Sequence, residues 1–391
     1  MVYRMTIRGY KSLIDTRIEF TPVTFLFGLL GAGKSSILRS MMVLREMSGR
    51  RTVAEALALS KEQEGGNLVL FPQKDGKAPC SFSLESDVMI LGGDMLRYRI
   101  GVAVDPRSRA IKVVDEYLTG LNRQFEPKGV ARIERQANQI KIRRRVKKSP
   151  PYLEELGLAH ALLGDPRLSG RNYPEMEAFR AELAGWRFYS LGNLLSRRQP
   201  ARDQEVNDIG VTGEFLLPFL RRLQIERPGL FQQLQTWLGN VVCGVGGFDL
   251  HVDEKYGSLH LTVNVKGHDI PEAGLPEGLL KALALLAVML NPWGSRVIAL
   301  DEPENGLDPR CIDRLGEALL QLGVEQDLQV IVATHSPWLC ESVLAQAEAF
   351  PGVLSLLYVQ AKENGTEVVS FEGTGPLFGG KELSDVFRPE D

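Results

Sequence analysis

The segment Gly28-Leu-Leu-Gly-Ala-Gly33-Lys34-Ser35 has the residue types and spacing of a phosphate-binding loop, GxxxxGK[ST]. It follows the apolar run Val23–Phe27 and precedes a helical stretch, Ser35–Ser48, so the sequence predicts strand, loop and helix in that order. Glycines let backbone N–H groups surround phosphates, Lys34 would reach the β- and γ-phosphates, and Ser35 would bind Mg²⁺. A glycine-rich turn that binds nothing is the alternative. The predicted nucleotide-binding residues are Gly28, Gly31, Ala32, Gly33, Lys34, Ser35 and Ser36.

A second candidate follows the apolar run Val297-Ile-Ala-Leu300, which reads as a buried strand and ends in Asp301 and Glu302. The carboxyl ends of strands are where α/β sheets present ligands. Asp301 would hold Mg²⁺, and Glu302 would orient or deprotonate the attacking water in phosphoryl transfer. A plain strand-to-helix cap is the competing interpretation of the same two residues.

A third apolar strand is predicted at Val330–Ala333, and it ends in Thr334 and His335. In that position His335 would contact the γ-phosphate, which makes it a candidate catalytic residue beside Glu302 and Lys34. A lone histidine is also often a structural hydrogen-bonding group, and this reading stays open from the residues alone.

Together the segments GLLGAGKSS, VIALDEPENGLDP and VIVATHSPWL resemble the ABC-type ATPase heads of the RecF, SMC and OLD-nuclease group. The resemblance also covers Met5–Phe20 and Glu214–Leu290, but it does not extend to residues 50–200. It implies that His335 is the switch histidine and that Asp308 belongs to a loop that crosses a dimer interface. It also implies that Gly278 occupies a signature segment, where the helix start would take the γ-phosphate held by a second subunit. ATP would then hold together a two-fold dimer.

Two residues depart from the pattern of the family. Leu30 stands where relatives usually have Asn, and Pro276 stands where they have Ser, so neither position offers a side-chain donor. Losing one charge-assisted hydrogen bond to phosphate costs about 1.5–3 kcal/mol, which predicts slow hydrolysis. Gln73 is the candidate for a further Mg²⁺ ligand, and the segment Tyr10-Lys11-Ser12 would either line the nucleotide or form a surface turn.

Composition limits the class of protein. The chain has 391 residues, with 46 basic and 49 acidic side chains, so any nucleic-acid contact must use a local patch. The four cysteines lack CxxC spacing, which favours a reducing, cytoplasmic location and argues against a zinc site. The longest apolar run, Ala282–Leu290, is far shorter than the about 20 residues that span a bilayer, so no membrane partner is expected.

A local basic patch is present at Lys141–Lys148. If this segment is a strand, Lys141, Arg143, Arg145 and Lys147 lie on one side of it, where they could neutralise the phosphates of DNA or RNA. No aromatic residue is interleaved to stack bases, and a solvated charged face is the competing interpretation.

We therefore expect an α/β fold, a P-loop NTPase of the ABC-type head class with an antiparallel β-subdomain and a helical insertion. The expected segments are an N-terminal ATPase lobe (1–150), the insertion (151–240) and a C-terminal lobe (241–391). The expected function is Mg-dependent, slow ATP hydrolysis coupled to homodimer formation, acting on DNA or a partner effector in repair or anti-phage defence. A regulatory scaffold that binds ATP with little hydrolysis is the main alternative. A transporter ATPase is disfavoured, because an LSGGQ-like signature is absent.

Overall fold

The computed structural model of the chain describes residues 1–49, 52–59, 81–105, 108, 110–145, 150–192, 194, 201–253, 255–294 and 296–371. The chain forms two compact units that alternate along the sequence. The first comprises Met1–Phe20, Leu29–Trp186 and Val359–Val369, and the second comprises Thr21–Gly28, Arg187–Tyr358 and the residues from Ser370. The expected division into three consecutive segments follows different borders and stays a prediction.

An eight-stranded antiparallel sheet dominates the first unit. Its strand order is β2-β1-β4-β5-β6-β7-β8-β9. Apolar and polar residues alternate along several strands, as in Met95–Val104, so that one face of the strand is buried and the other is partly exposed. The bounds are β1 Val2–Tyr10, β2 Leu13–Glu19, β4 Ser81–Met89, β5 Met95–Val104, β6 Ile111–Leu121, β7 Pro127–Gln136, β8 Gln139–Ile142 and β9 Tyr152–Glu155.

Three helices of the first unit are α1 (Lys34–Ser48), α2 (Val53–Leu59) and α3 (Pro174–Gly185), and α1 packs against both of the others. The predicted basic strand is shorter than the alternating sequence of this segment suggested. It corresponds to β8, which ends at Ile142. Beyond this point the chain turns toward a short helical turn, where the Arg145 amide donates to the Asn172 carbonyl at 2.9 Å. Lys141, Arg143 and Arg145 therefore do not lie on one continuous strand, which was the condition for placing them on one side.

The second unit contains a parallel sheet in which the predicted apolar runs are neighbours. The strand order is β10-β15-β16-β3-β17-β18, and residues Val359–Val369 of its last two strands belong to the first unit. Strands β3 and β16 are buried along their whole length, as expected for parallel strands covered on both faces. The bounds are β10 Arg187–Tyr189, β15 Val297–Asp301, β16 Gln329–Thr334, β3 Val23–Phe27, β17 Leu354–Lys362 and β18 Gly365–Phe371.

Within the described residues, five helices and a small antiparallel sheet complete the second unit. Helix α6 is buried almost all round, which explains its nearly uninterrupted apolar sequence. The helices are α4 Leu216–Glu226, α5 Pro228–Val241, α6 Glu277–Met289, α7 Pro309–Glu325 and α8 Pro337–Ala345; the strands are β11 Ala201–Arg202, β12 Val245–Asp253, β13 Ser258–Val265 and β14 His268–Pro271. Within the described ranges, no helix is both long and apolar enough to cross a membrane.

Candidate functional site

Three neighbouring strands of the second unit deliver the predicted chemical groups to one edge of the parallel sheet. Strand β16 lies between β15 and β3, and its register pairs Thr334 with Phe27. Because the strands are parallel, their carboxyl ends meet at the same edge. Gly28 follows β3, Asp301 ends β15, and His335 follows β16. The start of the predicted phosphate loop therefore lies at the edge that also carries the predicted Mg²⁺ ligand and switch histidine.

Backbone conformation accounts for two glycines of the phosphate loop. Gly31 and Gly33 have φ angles of 78° and 109°, a region that side chains disfavour. A Cβ atom on Gly33 would also lie 2.5 Å from the Thr366 hydroxyl oxygen, whereas one on Gly31 would meet no atom within 4 Å. Gly33 is the N-cap of α1, and no side chain caps this helix start. The loop thus keeps a glycine backbone in front of a helix N-terminus, a common arrangement for binding phosphate.

Lys34, the predicted phosphate ligand, is 5% exposed. Its ammonium donates to the carbonyl of Leu29, within the same loop, at 2.7 Å. This hydrogen bond gives the buried cation an acceptor. Leu30, one of the departures from the family pattern, is 75% exposed and contributes an apolar side chain where a donor was expected.

A further pair of residues in the first unit supports the phosphate loop. The Thr366 hydroxyl contacts both the Ala32 carbonyl, at 3.0 Å, and the Ser12 hydroxyl, at 2.9 Å. Lys11 and Ser12 form the turn between β1 and β2, and this turn lies beside the loop. A role in lining the nucleotide stays a prediction. Thr366 was not identified in advance, because a threonine more than 300 positions away carries no local signal for this contact.

Glu302 and His335, both predicted to be catalytic, lie next to each other. The Glu302 Oε1 atom is 3.3 Å from His335 Nδ1, and both side chains are about one-third exposed. Glu302 has a φ angle of 50°, which is unusual for a residue with a side chain and is common at functional sites. The Glu302 backbone amide donates to the Ala333 carbonyl at 2.8 Å. The side-chain amide of Asn305 donates to Glu302 Oε2 at 2.5 Å. These contacts fix the direction in which the carboxylate points.

Glu304 is a third carboxylate at this edge, and the sequence analysis did not single it out. It is 3% exposed. Its Oε1 atom accepts hydrogen bonds from the Thr334 hydroxyl at 2.6 Å and from the His335 backbone amide at 3.1 Å. The second glutamate of the Asp-Glu-Pro-Glu run was the available signal, but the motif does not reveal that this side chain is buried.

The predicted signature segment packs against the loop that follows β15. A Cβ atom on Gly278 would lie 2.5 Å from the Gly306 carbonyl oxygen, so glycine permits a close approach of two backbones. Lys281 is 2% exposed and donates to the carbonyls of Glu302 and Asn305, both at 2.9 Å. Burial lowers the pKa of Lys281, and the Glu304 carboxylate is the main opposing influence. Pro276 is the N-cap of α6, and its side chain makes no capping hydrogen bond.

Asp308 caps helix α7. Its Oδ1 atom accepts from the backbone amides of Arg310 and Cys311, at 2.9 and 3.1 Å. The Cys311 thiol donates to the other carboxylate oxygen at 3.1 Å. Burial and this carboxylate raise the pKa of the Cys311 thiol to about 12, while the hydrogen bonds lower the pKa of Asp308. Asp308 therefore stabilises the start of this helix.

The predicted Mg²⁺ ligand Gln73 lies outside the described residues, as do Lys147 and Lys148 of the basic segment. Lys141, Arg143 and Arg144 of the basic segment border a cavity of about 690 Å³ in the first unit. Five cations line this cavity, and only two carboxylates do so. The cations are Lys128, Arg132, Lys141, Arg143 and Arg144, and the carboxylates are Asp94 and Glu175.

Comparisons with known proteins give a family and a fold for this chain. Residues 23–341 match a family model described as "AAA domain, putative AbiEii toxin, Type IV TA system". An SMC head bound to the C-winged helix domain of ScpA is 14% identical, with a TM-score of 0.58, and the match covers 94% of this chain and 97% of that one. The SMC head domain from Thermotoga maritima is 14% identical, with a TM-score of 0.44, and the match covers 95% and 99%. The search of curated proteins found no match. At this identity, the first SMC head shows the fold alone.

Proposed function

The chain belongs to the AAA-domain family of the AbiEii type and has the fold of an ABC-type ATPase head of the RecF and SMC group, and from this premise we propose that it binds Mg-ATP and hydrolyses it slowly. The observation that carries the proposal is the pair Glu302 and His335 at the sheet edge where Gly28 begins the phosphate loop. A carboxylate and an imidazole 3.3 Å apart can act together on a water and a phosphate.

Each predicted residue has one task in this proposal. The loop from Gly28 to Ser36 surrounds the phosphates, and Lys34 exchanges the Leu29 carbonyl for phosphate oxygens. Ser35 and Asp301 would hold Mg²⁺, which would supply charge neutralisation at the phosphates. Glu302 accepts a proton from the attacking water, while His335 donates a hydrogen bond to the γ-phosphate. Gln73 stays a prediction as a further ligand.

Slow turnover and dimerisation belong to the same proposal. Leu30 and Pro276 provide no side-chain hydrogen bond, so contacts to phosphate are fewer than in relatives. We propose that the N-terminus of α6 at Gly278, together with the Asp308 loop, contacts nucleotide held by a second copy. Burial of ATP between two copies would make the nucleotide a switch for homodimer formation.

The partner of this switch is proposed to be DNA or RNA, in a repair or anti-phage defence process. The supporting observation is the cation-lined cavity. Arg132 is paired there with Glu175 at 2.7 Å and Arg143 with Glu134 at 2.5 Å, so the surplus of positive charge rests on Lys128, Lys141 and Arg144. Salt-dependent binding that weakens in Lys141→Glu, but not in the control Lys362→Glu, would support the nucleic-acid role. The SMC head bound to a winged-helix domain motivates the other candidate, an effector protein bound in trans.

The deciding experiment measures ATP turnover and molecular mass with Mg-ATP, with and without DNA. Glu302→Gln is expected to bind ATP, to lose turnover and to accumulate as a dimer. The matched control is Glu348→Gln, which makes the same chemical change at an exposed position. If neither wild type nor variant turns over ATP but both bind it, the chain is an ATP-binding scaffold. If neither binds ATP, the proposal is wrong.

A further inference from the structure

The buried carboxylate of Glu304 is joined to β16 at two points. Its Oε1 atom accepts from the Thr334 hydroxyl at 2.6 Å and from the backbone amide of His335 at 3.1 Å. The same hydroxyl oxygen accepts from the Ser336 amide at 2.9 Å. One carboxylate thus fixes the backbone on both sides of His335, because a hydrogen bond to a charged group is stronger than a neutral one.

The imidazole of His335 lies between two carboxylates. Nδ1 is 3.3 Å from Glu302 Oε1 and 3.6 Å from Glu304 Oε1. Neither Nδ1 nor the second oxygen of Glu304 makes a hydrogen bond within the described residues, although both atoms are buried.

The turn that carries Glu304 is itself held from another direction. Lys281 of α6 donates to the carbonyls of Glu302 and Asn305, on either side of Glu304. The backbone amide of Leu307 donates to the Glu304 carbonyl at 3.1 Å, which closes the turn. The turn consequently connects α6 to the end of β16 through the buried side chains of Lys281, Glu304 and Thr334.

We infer that Glu304 is a positioning residue for His335, holding the histidine at the distance from Glu302 that hydrolysis requires. The inference rests on the proposed ATPase function. Glu304 itself touches neither water nor phosphate in this role, since it is 3% exposed. Its loss should leave ATP binding intact and slow the chemical step, because misplacing a catalytic group by about 1 Å can cost about 100-fold in rate.

Three variants separate positioning from general support of the fold. Glu304→Ala removes both contacts and is expected to lower kcat about 100-fold with unchanged ATP affinity. Glu304→Gln keeps an acceptor oxygen and should retain most of the activity that alanine loses. Thr334→Val removes only the hydroxyl and provides a milder change if Glu304→Ala fails to fold. Equal losses in all three variants, accompanied by equal losses of thermal stability, would point to a structural role and overturn the inference.

A double-mutant cycle with His335→Ala provides the decisive kinetic result. If Glu304 acts through His335, the double variant will be no slower than His335→Ala alone, because the same contribution cannot be lost twice. Rates that multiply would show independent action and overturn the inference.

Histidine ¹³Cε1 NMR signals test the same idea without turnover. The chain has five histidines, and the signal absent from His335→Ala identifies residue 335. Glu304→Ala should move that signal and leave the other four in place, with no nucleotide added. An unmoved His335 signal contradicts the inference. A moved signal in a protein that never hydrolyses ATP keeps the positioning contact and rejects only the proposed function.

Discussion

Replacing Glu116 by glutamine should remove a pH-dependent contribution to the stability of the first unit. This carboxylate is completely buried on β6. It accepts hydrogen bonds from the Leu162 amide at 2.8 Å, the Leu163 amide at 2.7 Å and the Tyr98 hydroxyl at 2.8 Å. Burial raises the pKa of Glu116 from an ordinary value of 4.5 to about 7, against the opposing effect of these three donors.

The sign follows from proton binding in the two states. Between pH 4.5 and about pH 7 the folded chain holds the proton on Glu116 and the unfolded chain does not. Stability from this group is therefore greatest below pH 4.5, falls as pH rises, and levels off above pH 7. A difference of about 2.5 in pKa corresponds to about 3 kcal/mol between the two plateaus. The glutamine side chain of Glu116→Gln does not titrate. Any loss of stability from placing a neutral amide beside the three donors is therefore the same at every pH.

The assay is urea unfolding of wild type and Glu116→Gln between pH 4 and pH 8. Trp186 is buried in the first unit, whereas the other three tryptophans belong to the second. Changing Trp237, Trp293 and Trp338 to phenylalanine makes fluorescence report the first unit. The free-energy difference between the two proteins should change by about 3 kcal/mol over this range, in the direction that favours wild type in acid. A difference that stays constant with pH would refute the reasoning.

Two substitutions in the second unit test its packing. Gly278→Ala should destabilise the protein by about 1–3 kcal/mol, because the new Cβ would press on the Gly306 carbonyl, 2.5 Å away. The control Gly229→Ala lies in a helix with open space around it and should change stability by about 1 kcal/mol or less. Lys281→Met should cost about 1–3 kcal/mol and slow turnover, because the carbonyl of Glu302 loses its buried donor. Urea unfolding and steady-state kinetics measure both effects; full stability in either variant would show that the contact contributes nothing.

The sequence was sufficient where one short segment carries the whole signal. Strand β3, the glycine loop and α1 follow from an apolar run, a glycine motif and helical spacing, and the structure confirms all three elements. The fold class was likewise predictable, and the parallel strands that end in Asp301 and Thr334 lie where their apolar runs were expected. The length of β8 was not predictable, because its end depends on contacts with distant segments: the Arg143 amide still donates to the Arg132 carbonyl of β7, whereas the Arg145 amide donates to the Asn172 carbonyl.

Only the tertiary structure decided which polar groups meet. Glu304, Lys281 and Thr366 occupy ordinary positions in their own segments, and their partners come from other strands and helices. Thr366 reaches the phosphate loop across 334 positions of the chain, and Glu304 reaches Thr334 across 30. The spacing of apolar residues along a helix or strand indicates only which face of that element a residue occupies. It does not indicate which other helix or strand packs against that face. Such contacts exist because a polar group removed from water must find a partner wherever folding brings one near.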